Sequence, residues 1–287
     1  MAVRAKLSDG ERRFLIDGAS EDYRSDGRRC WDRRELDMDI DKLPTCAGSS
    51  QLRCGQNHVL VGVKADLVDL NPGQPDRGSI QFFAHLSGLY SENESDIVEE
   101  VISIFDTSYK DSKLLNCLVA LEGQVVWSLF VDILILEAES KASLYDLCSF
   151  AVKAALSATK LPKVYYNQGK EIELSDQPSD MISLDTHDVP IFVTVTRVGN
   201  NYLLDPTEEE EAASVSSVTV SFNDQSEILH TKKIGSGSLH TDPIKDLLPK
   251  LSKTSKDLHA EIERRCRELL SRPPETFVPI PEEEAAI

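Results

Sequence analysis

The stretch VVWSLFVDILILE, residues 125–137, followed by LYDLCSFAVKAAL at 144–156, decides the fold. The first segment is apolar on both faces for most of its length, the pattern of a strand in the middle of a sheet. In the second, Leu144, Leu147, Cys148, Ala151, Val152, Ala155 and Leu156 recur at helical spacing and form the strongest such stripe in the chain. Residues 154–158 are rich in small side chains, so this helix is expected to lie close against a sheet. A buried strand leading into a helix that covers it is the unit of an α/β fold.

Upstream, the apolar run at 114–121 reads as another strand. Before it, Ile97, Val98, Val101, Ile102 and Phe105 mark a helix, with Asp96, Glu99 and Glu100 near its start, where the dipole favours acids. Residues 79–86, 58–65 and 48–54 read as strands, and Gly55-Gln56-Asn57 has hairpin chemistry. Residues 70–78, with Asn71-Pro72-Gly73 and Pro75, form a loop. Leu36, Met38 and Ile40 alternate with Asp37, Asp39 and Asp41 in a further strand. Ser8 and Glu11 make the S-x-x-E capping box of a short N-terminal helix carrying Phe14, Leu15 and Ile16. Between that helix and the first strand lies EDYRSDGRRCWDRRE, residues 21–35. Its five arginines (Arg24, Arg28, Arg29, Arg33, Arg34) are a basic cluster in an otherwise acidic chain.

Downstream, short strands are expected at 163–166 and 171–174 within a connector. Four more follow at 191–198, 202–204, 215–222 and 227–233. A long helix starts near Asp242, with Pro243 in its first turn and an apolar face of Ile244, Leu247, Leu248, Leu251, Leu258, Ile262 and Leu269. The Pro- and Glu-rich tail from Pro273 is expected to be disordered. The chain thus reads as α/β or α+β with mixed sheets, in two strand-rich halves each closed by helices. The expected divisions are 1–30 (N-terminal helix and basic segment), 31–165 (first half), 166–188 (connector), 189–270 (second half and C-terminal helix) and 271–287 (acidic tail).

Over 287 residues, 49 acids against 31 bases give a net charge of −18. Such a chain repels a polyanion on average, so free-standing nucleic-acid binding is not expected. The polar N-terminus is unlike a signal peptide. The longest apolar run carries Asp132 and falls far short of the ~20 residues a membrane-spanning helix needs. The six cysteines are scattered without C-x-x-C pairs, which fits reduced thiols in a cytosolic or nuclear protein.

Known catalytic motifs are missing: no G-x-S-x-G elbow, Walker loop or G-x-G-x-x-G, and no H-x-x-H. Gly235-Ser236-Gly237 could bind a phosphate ahead of a helix or be a plain turn. The acidic run at 208–211 could hold Mg²⁺ through paired carboxylates or be a solvated loop, and spacing favours the loop. Lys110 and Lys113 could contact phosphate or be ordinary exposed lysines.

Several segments resemble the RNase PH family, specifically the RNase PH-like subunits of the eukaryotic RNA exosome ring. They are Arg24-Ser25-Asp26-Gly27-Arg28; Ala47-Gly48-Ser49-Ser50 with the hairpin from Cys54 to Val63; Val131 to Glu137 with Leu144-Tyr145-Asp146; Val189-Pro190 with Thr194-Val195-Thr196; and Leu204-Asp205-Pro206-Thr207-Glu208-Glu209-Glu210. Together they span about 7–260 in order. The D-P-T-x-E-E form and the Trp in the central strand resemble a non-catalytic branch of these subunits.

The resemblance implies two β-α-β halves like the second domain of ribosomal protein S5. It implies a six-membered hetero-ring of related subunits around an RNA channel, S1/KH cap subunits, associated hydrolytic exoribonucleases, and residence in nucleus, nucleolus and cytoplasm. No membrane partner, cofactor or metal is expected. Active members hold phosphate with an Arg-Ser pair, and the resemblance sets Val126-Trp127 there. Active members also carry two acids six residues apart, which become Glu211 and Ser217. With the phosphate donors gone and one acid lost, the resemblance implies an inactive subunit. The alternative is an active phosphorolytic 3′-to-5′ exoribonuclease working through Glu211 and a displaced second acid. Lys110 and Lys113 follow the first long helix, where a related subunit has basic residues, one of which is Thr107 here. They are the RNA-binding candidates.

Overall fold

The computed structural model describes residues 7–70, 75–87, 94–166, 172–175, 177–235, 237 and 241–272. The tail from Pro273 lies outside them. Helix α1 (Asp9–Ser20) starts where the capping box predicts. Ser8 Oγ accepts from Glu11 N at 3.3 Å, and Glu11 Oε2 accepts from Ser8 N at 2.8 Å.

The first sheet contains β1 (Asp37–Ile40), β2 (Gly48–Cys54), β3 (Asn57–Asp69), β4 (Ser79–Leu86), β5 (Val119–Leu121) and β6 (Val125–Glu137). Their order is β1-β2-β3-β6-β4, with β5 also on β6. Only β4 runs parallel to its neighbour, which requires a crossover, and α2 (Glu94–Tyr109) supplies it. The β2–β3 hairpin turns through Gly55-Gln56, where Gly55 has φ +60°. A side chain there would be strained.

The strand expected over 114–121 is corrected. Residues Lys113–Leu118 form a 3₁₀ helix, and only β5 remains extended. Leu114, Leu115 and Leu118 are buried at a spacing that suits a helical turn, and Ser112 Oγ caps it from Leu114 N at 3.2 Å.

After α3 (Lys141–Ala158), the connector forms two small pairings. β7 (Lys160–Pro162) joins β10 (Met181–Ser183), and β8 (Val164–Tyr166) joins β9 (Ile172–Leu174). The second sheet has the order β12-β11-β13-β14, from β11 (Ile191–Val198), β12 (Asn201–Leu204), β13 (Ser216–Phe222) and β14 (Ile228–Ile234). Residues read as a charged loop form a short helix, α4 (Glu208–Ala213). It is closed by a second capping box between Thr207 and Glu210.

Helix α3 is buried along its whole length except at Lys141 and Ser157. A helix covered on every side needs structure around it. Leu52, Val61 and Ile133 of the first sheet, Phe105 of α2 and Phe192 of β11 share its core. The rings of Phe82, Phe105 and Phe192 form a chain from β4 through α2 to β11, with centroids 4.9 and 4.8 Å apart. The long helix α5 (Thr241–Leu270) contains Pro249. Its first half lays Leu247 and Leu251 on Val193, Val195, Val218 and Val220 of the second sheet. Its second half brings Ile262 and Cys266 into the core around α3.

Candidate functional site

The arginine-rich segment between α1 and β1 turns inward. Arg24 is only 3% exposed and meets Glu210 of α4, which is 2% exposed. Arg24 Nε donates to Glu210 Oε1 at 2.8 Å, Nη2 pairs with Oε2, and Nη1 and Nη2 donate to the carbonyls of Leu204 (3.0 Å) and Asp205 (2.9 Å). Gly27, at φ +85°, lets the chain turn so that Arg24 N can reach Arg28 O at 3.0 Å.

The other side chain at the centre is Asp205. Arg34 donates to it from its backbone N (2.8 Å), Nε (3.0 Å) and Nη2 (2.8 Å), Arg28 from Nη1 (3.1 Å), and Ser143 of α3 from Oγ (2.6 Å). Burial alone would raise its pKa. The Arg34 hydrogen bonds, with the charges of Arg33 and Arg34 and the Ser143 hydroxyl, hold it far below the usual carboxylate range instead. Arg34 also reaches Glu139 at 2.7 Å, just before α3. Arg33 lies over the Phe150 ring and pairs with the buried Asp146 of α3 at 2.9 Å. Burial lifts the Asp146 carboxyl to about 6 despite that partner.

These contacts make the basic cluster an internal staple. Four of its five arginines are spent on acids of α3, α4, the β12–α4 turn and the segment itself, and so join the N-terminal segment to both halves. Apart from Arg28 with Asp26, those pairings have no local signature, because the partners lie more than a hundred residues away.

A second cluster sits at the N-terminus of α3. Lys141 N donates to Glu211 Oε2 at 2.8 Å, where the helix dipole favours a negative charge. Burial raises the pKa of the Glu211 carboxyl, and hydrogen bonds from Ser140, Lys141 and Ala142 oppose the rise. Nearby, Tyr145 OH donates to the Glu100 carboxylate of α2. Ser217 is on β13 and shares a 2.9 Å hydrogen bond with Thr196 of β11. Of the acidic run, Glu210 is ion-paired and Glu211 caps α3, while Glu209 stays exposed as the solvated reading expects. Among the described residues, no three His, Cys, Asp or Glu side chains gather to hold a metal ion.

Val126 and Trp127 are not brought to this cluster. They lie buried in the first turns of the ladder at the start of β6, opposite Val68 and Leu67 of β3. Trp127 precedes the end of β6 by ten residues, or ~33 Å of strand, while α3 begins beyond that end. Lys110 is exposed, and its carbonyl accepts from Arg77 Nη2 at 3.0 Å. Lys113 is 74% exposed and 3.6 Å from Asp188, which also accepts from its backbone N at 3.0 Å. Gly237 packs against Val215, and its N–H bonds the Val215 carbonyl at 3.2 Å, while Ser236 lies outside the described residues.

This architecture is that of the 3′ exoribonuclease family. Its domain 1 model, RNase PH, matches residues 32–162 and its domain 2 model matches 188–249, and the chain belongs to this family. Among its relatives, the exosome complex component Rrp42 of Thermococcus kodakarensis is 30% identical, over 81% of this chain and 87% of its own length. The putative exosome complex exonuclease RRP42 of Dictyostelium discoideum is 27% identical over 85% of this chain and 92% of its own. A chain of an archaeal exosome core superposes with a TM-score of 0.72 at 26% identity, covering 89% of this chain and 97% of that one. A chain of the Archaeoglobus fulgidus exosome with RNA bound to the active site gives 0.69 at 26%, covering 88% and 98%. The resemblance read from the ordered motifs thus extends over most of the chain.

Proposed function

We propose that this chain is a catalytically silent structural subunit of an RNA exosome ring. It supports 3′-to-5′ RNA processing and degradation by forming part of the RNA channel, while other subunits carry the exoribonuclease activity. The supporting observation is the fate of the two positions that carry acids in active relatives. Glu211 is held against the N-terminus of α3, and Ser217 is a hydroxyl engaged with Thr196. A lone committed carboxylate cannot share the charge of a leaving oxygen between two groups. Val126 and Trp127 add no charged donor for phosphate.

The partners under this reading are related subunits in a six-membered hetero-ring, S1/KH caps and hydrolytic exoribonucleases, in nucleus, nucleolus and cytoplasm. The net charge of −18 fits a subunit that leaves most RNA attraction to more basic neighbours, with Lys110 and Lys113 as its own channel contacts. The competing reading is a phosphorolytic exoribonuclease, favoured by the retained Glu211. The test is nucleoside diphosphate release from single-stranded RNA by the purified chain with phosphate and Mg²⁺. No release is expected. Release that disappears in Glu211→Ala would establish the enzyme.

A further inference from the structure

We propose that the cavity at the C-terminal end of α1 is a docking site for an arginine side chain on a basic, extended segment of a partner protein. The cavity holds about 210 Å³, enough for one long side chain, and its mouth is flanked by two aromatic residues, Phe14 and Tyr23. These are 63% and 61% exposed, far more than large aromatics usually are in a finished surface. Tyr23 is held firmly despite its exposure. Its N–H bonds Gly18 O at 2.9 Å, and its carbonyl lies so close to Gly18 that a Cβ there would meet it at 2.7 Å. The loop can therefore cross the helix end only over a glycine.

Charge selects the occupant. Arg24 and Glu210 in the wall neutralise each other, which leaves Asp17 and Glu21 as the uncompensated charges of the lining. Neither is ion-paired among the described residues, and the last turn of α1 has no basic side chain. Helix C-termini carry partial negative charge and ordinarily attract Lys or Arg. Here two carboxylates sit at that end instead, so the field calls for a cation from outside. Aromatic faces beside carboxylates suit a guanidinium in particular, which stacks on rings and forks onto carboxylates in one pose. The site repels RNA phosphate. It is independent of the ring-subunit reading, because it rests only on α1, its loop and the adjoining Leu203 and Glu210.

The test uses the full-length chain and a synthetic peptide, acetyl-Gly-Ser-Arg-Leu-Arg-Ser-Gly amide, titrated at low salt with NMR detection. A matched peptide carries citrulline in place of both arginines. The arginine peptide is expected to bind at least tenfold more tightly than the citrulline peptide. Phe14→Ser and Tyr23→Ser keep the net charge and are exposed, so the melting temperature should hold while affinity falls at least fivefold. Asp17→Asn/Glu21→Gln should abolish binding, whereas Asp66→Asn/Asp69→Asn, equally neutralising but on β3, should leave it within twofold. No binding, or equal losses from the two neutralising pairs, would reduce the effect to overall charge and overturn the proposal. So would binding of a short oligouridylate that depends on Phe14 or Tyr23.

Discussion

Replacing Glu210 by Met should be among the most damaging single changes on this molecule. The substitution keeps the volume of the side chain and removes its charge. Arg24 would then remain in a site where it is 3% exposed, facing only the neutral carbonyls of Leu204, Asp205 and Asp32 at 3.0, 2.9 and 3.3 Å. Breaking one side of a buried ion pair costs about 3–5 kcal/mol, because the stranded charge is not resolvated. Glu210 Oε2 also accepts from Thr207 N at 2.9 Å, so α4 loses half of its capping box, worth about 1 kcal/mol more. The expected loss is about 4–6 kcal/mol, or roughly 7–10 °C in melting temperature for a chain of this size. Arg24→Met should cost a similar amount by stranding Glu210. The double variant removes both charges and fills the space with apolar groups, so it should recover to within about 2 kcal/mol of the parent. Urea unfolding of the four proteins closes this cycle. A Glu210→Met loss below about 1 kcal/mol, or a double variant as unstable as the sum of the singles, would refute the staple.

Ala151→Asp should place an unpaired carboxylate in the fully buried face of α3 and cost about 3 kcal/mol or more, read as poor solubility or a lowered melting temperature. Acid should also weaken the docking of α5. His259 is buried with Nδ1 2.8 Å from the Lys153 ammonium, near Glu263 and Cys266, and its Nε2 faces Phe222 O; burial and the Lys153 charge hold its pKa at about 3. A histidine depressed in the fold binds fewer protons there than when unfolded. Its contribution is therefore complete above about 6.5 and shrinks by about 2 kcal/mol between there and pH 5, a slope that His259→Gln should remove in pH-dependent melts. In assembled rings, Lys110→Glu should weaken RNA binding modestly and lower its salt slope by about one, without dissociating the ring. An unchanged slope would remove Lys110 from the channel.

Elements with local periodicity were legible in the sequence. The alternation of β1, the hairpin at Gly55-Gln56, the α3 stripe and the Ser8–Glu11 capping box all appear where the pattern sets them. The 3₁₀ helix at Lys113–Leu118 was hidden because a short apolar run fits a strand and a helical turn equally well. Helix α4 had a readable signal. Thr207-x-x-Glu210 is the same capping-box spacing as Ser8-x-x-Glu11, but a run of acids masked it. The staple was legible only in part. An arginine cluster in an acidic chain was conspicuous, but its distant partners Asp146, Asp205 and Glu210 are brought to it only by the tertiary fold. For Val126 and Trp127, the resemblance marked the positions where the phosphate donors are lost, and the length of β6 sets their distance from α3.

The pairing of Arg24 with Glu210 spans 186 residues of chain, and this separation orders events during synthesis. At roughly 5–20 residues per second, Arg24 waits about 10–40 s on the ribosome before Glu210 is made. Throughout that interval Arg24 has no Glu210 to meet, whereas Arg28 already has Asp26 beside it in the same segment. The first sheet can begin to form meanwhile, since its strands are contiguous in the chain. The Arg24–Glu210 pair itself cannot close until residue 210 has emerged. A product that stops just short of residue 210 keeps Asp146 and Asp205 for Arg33, Arg34 and Arg28 but leaves Arg24 without its carboxylate, so the staple stays open at its most deeply buried point.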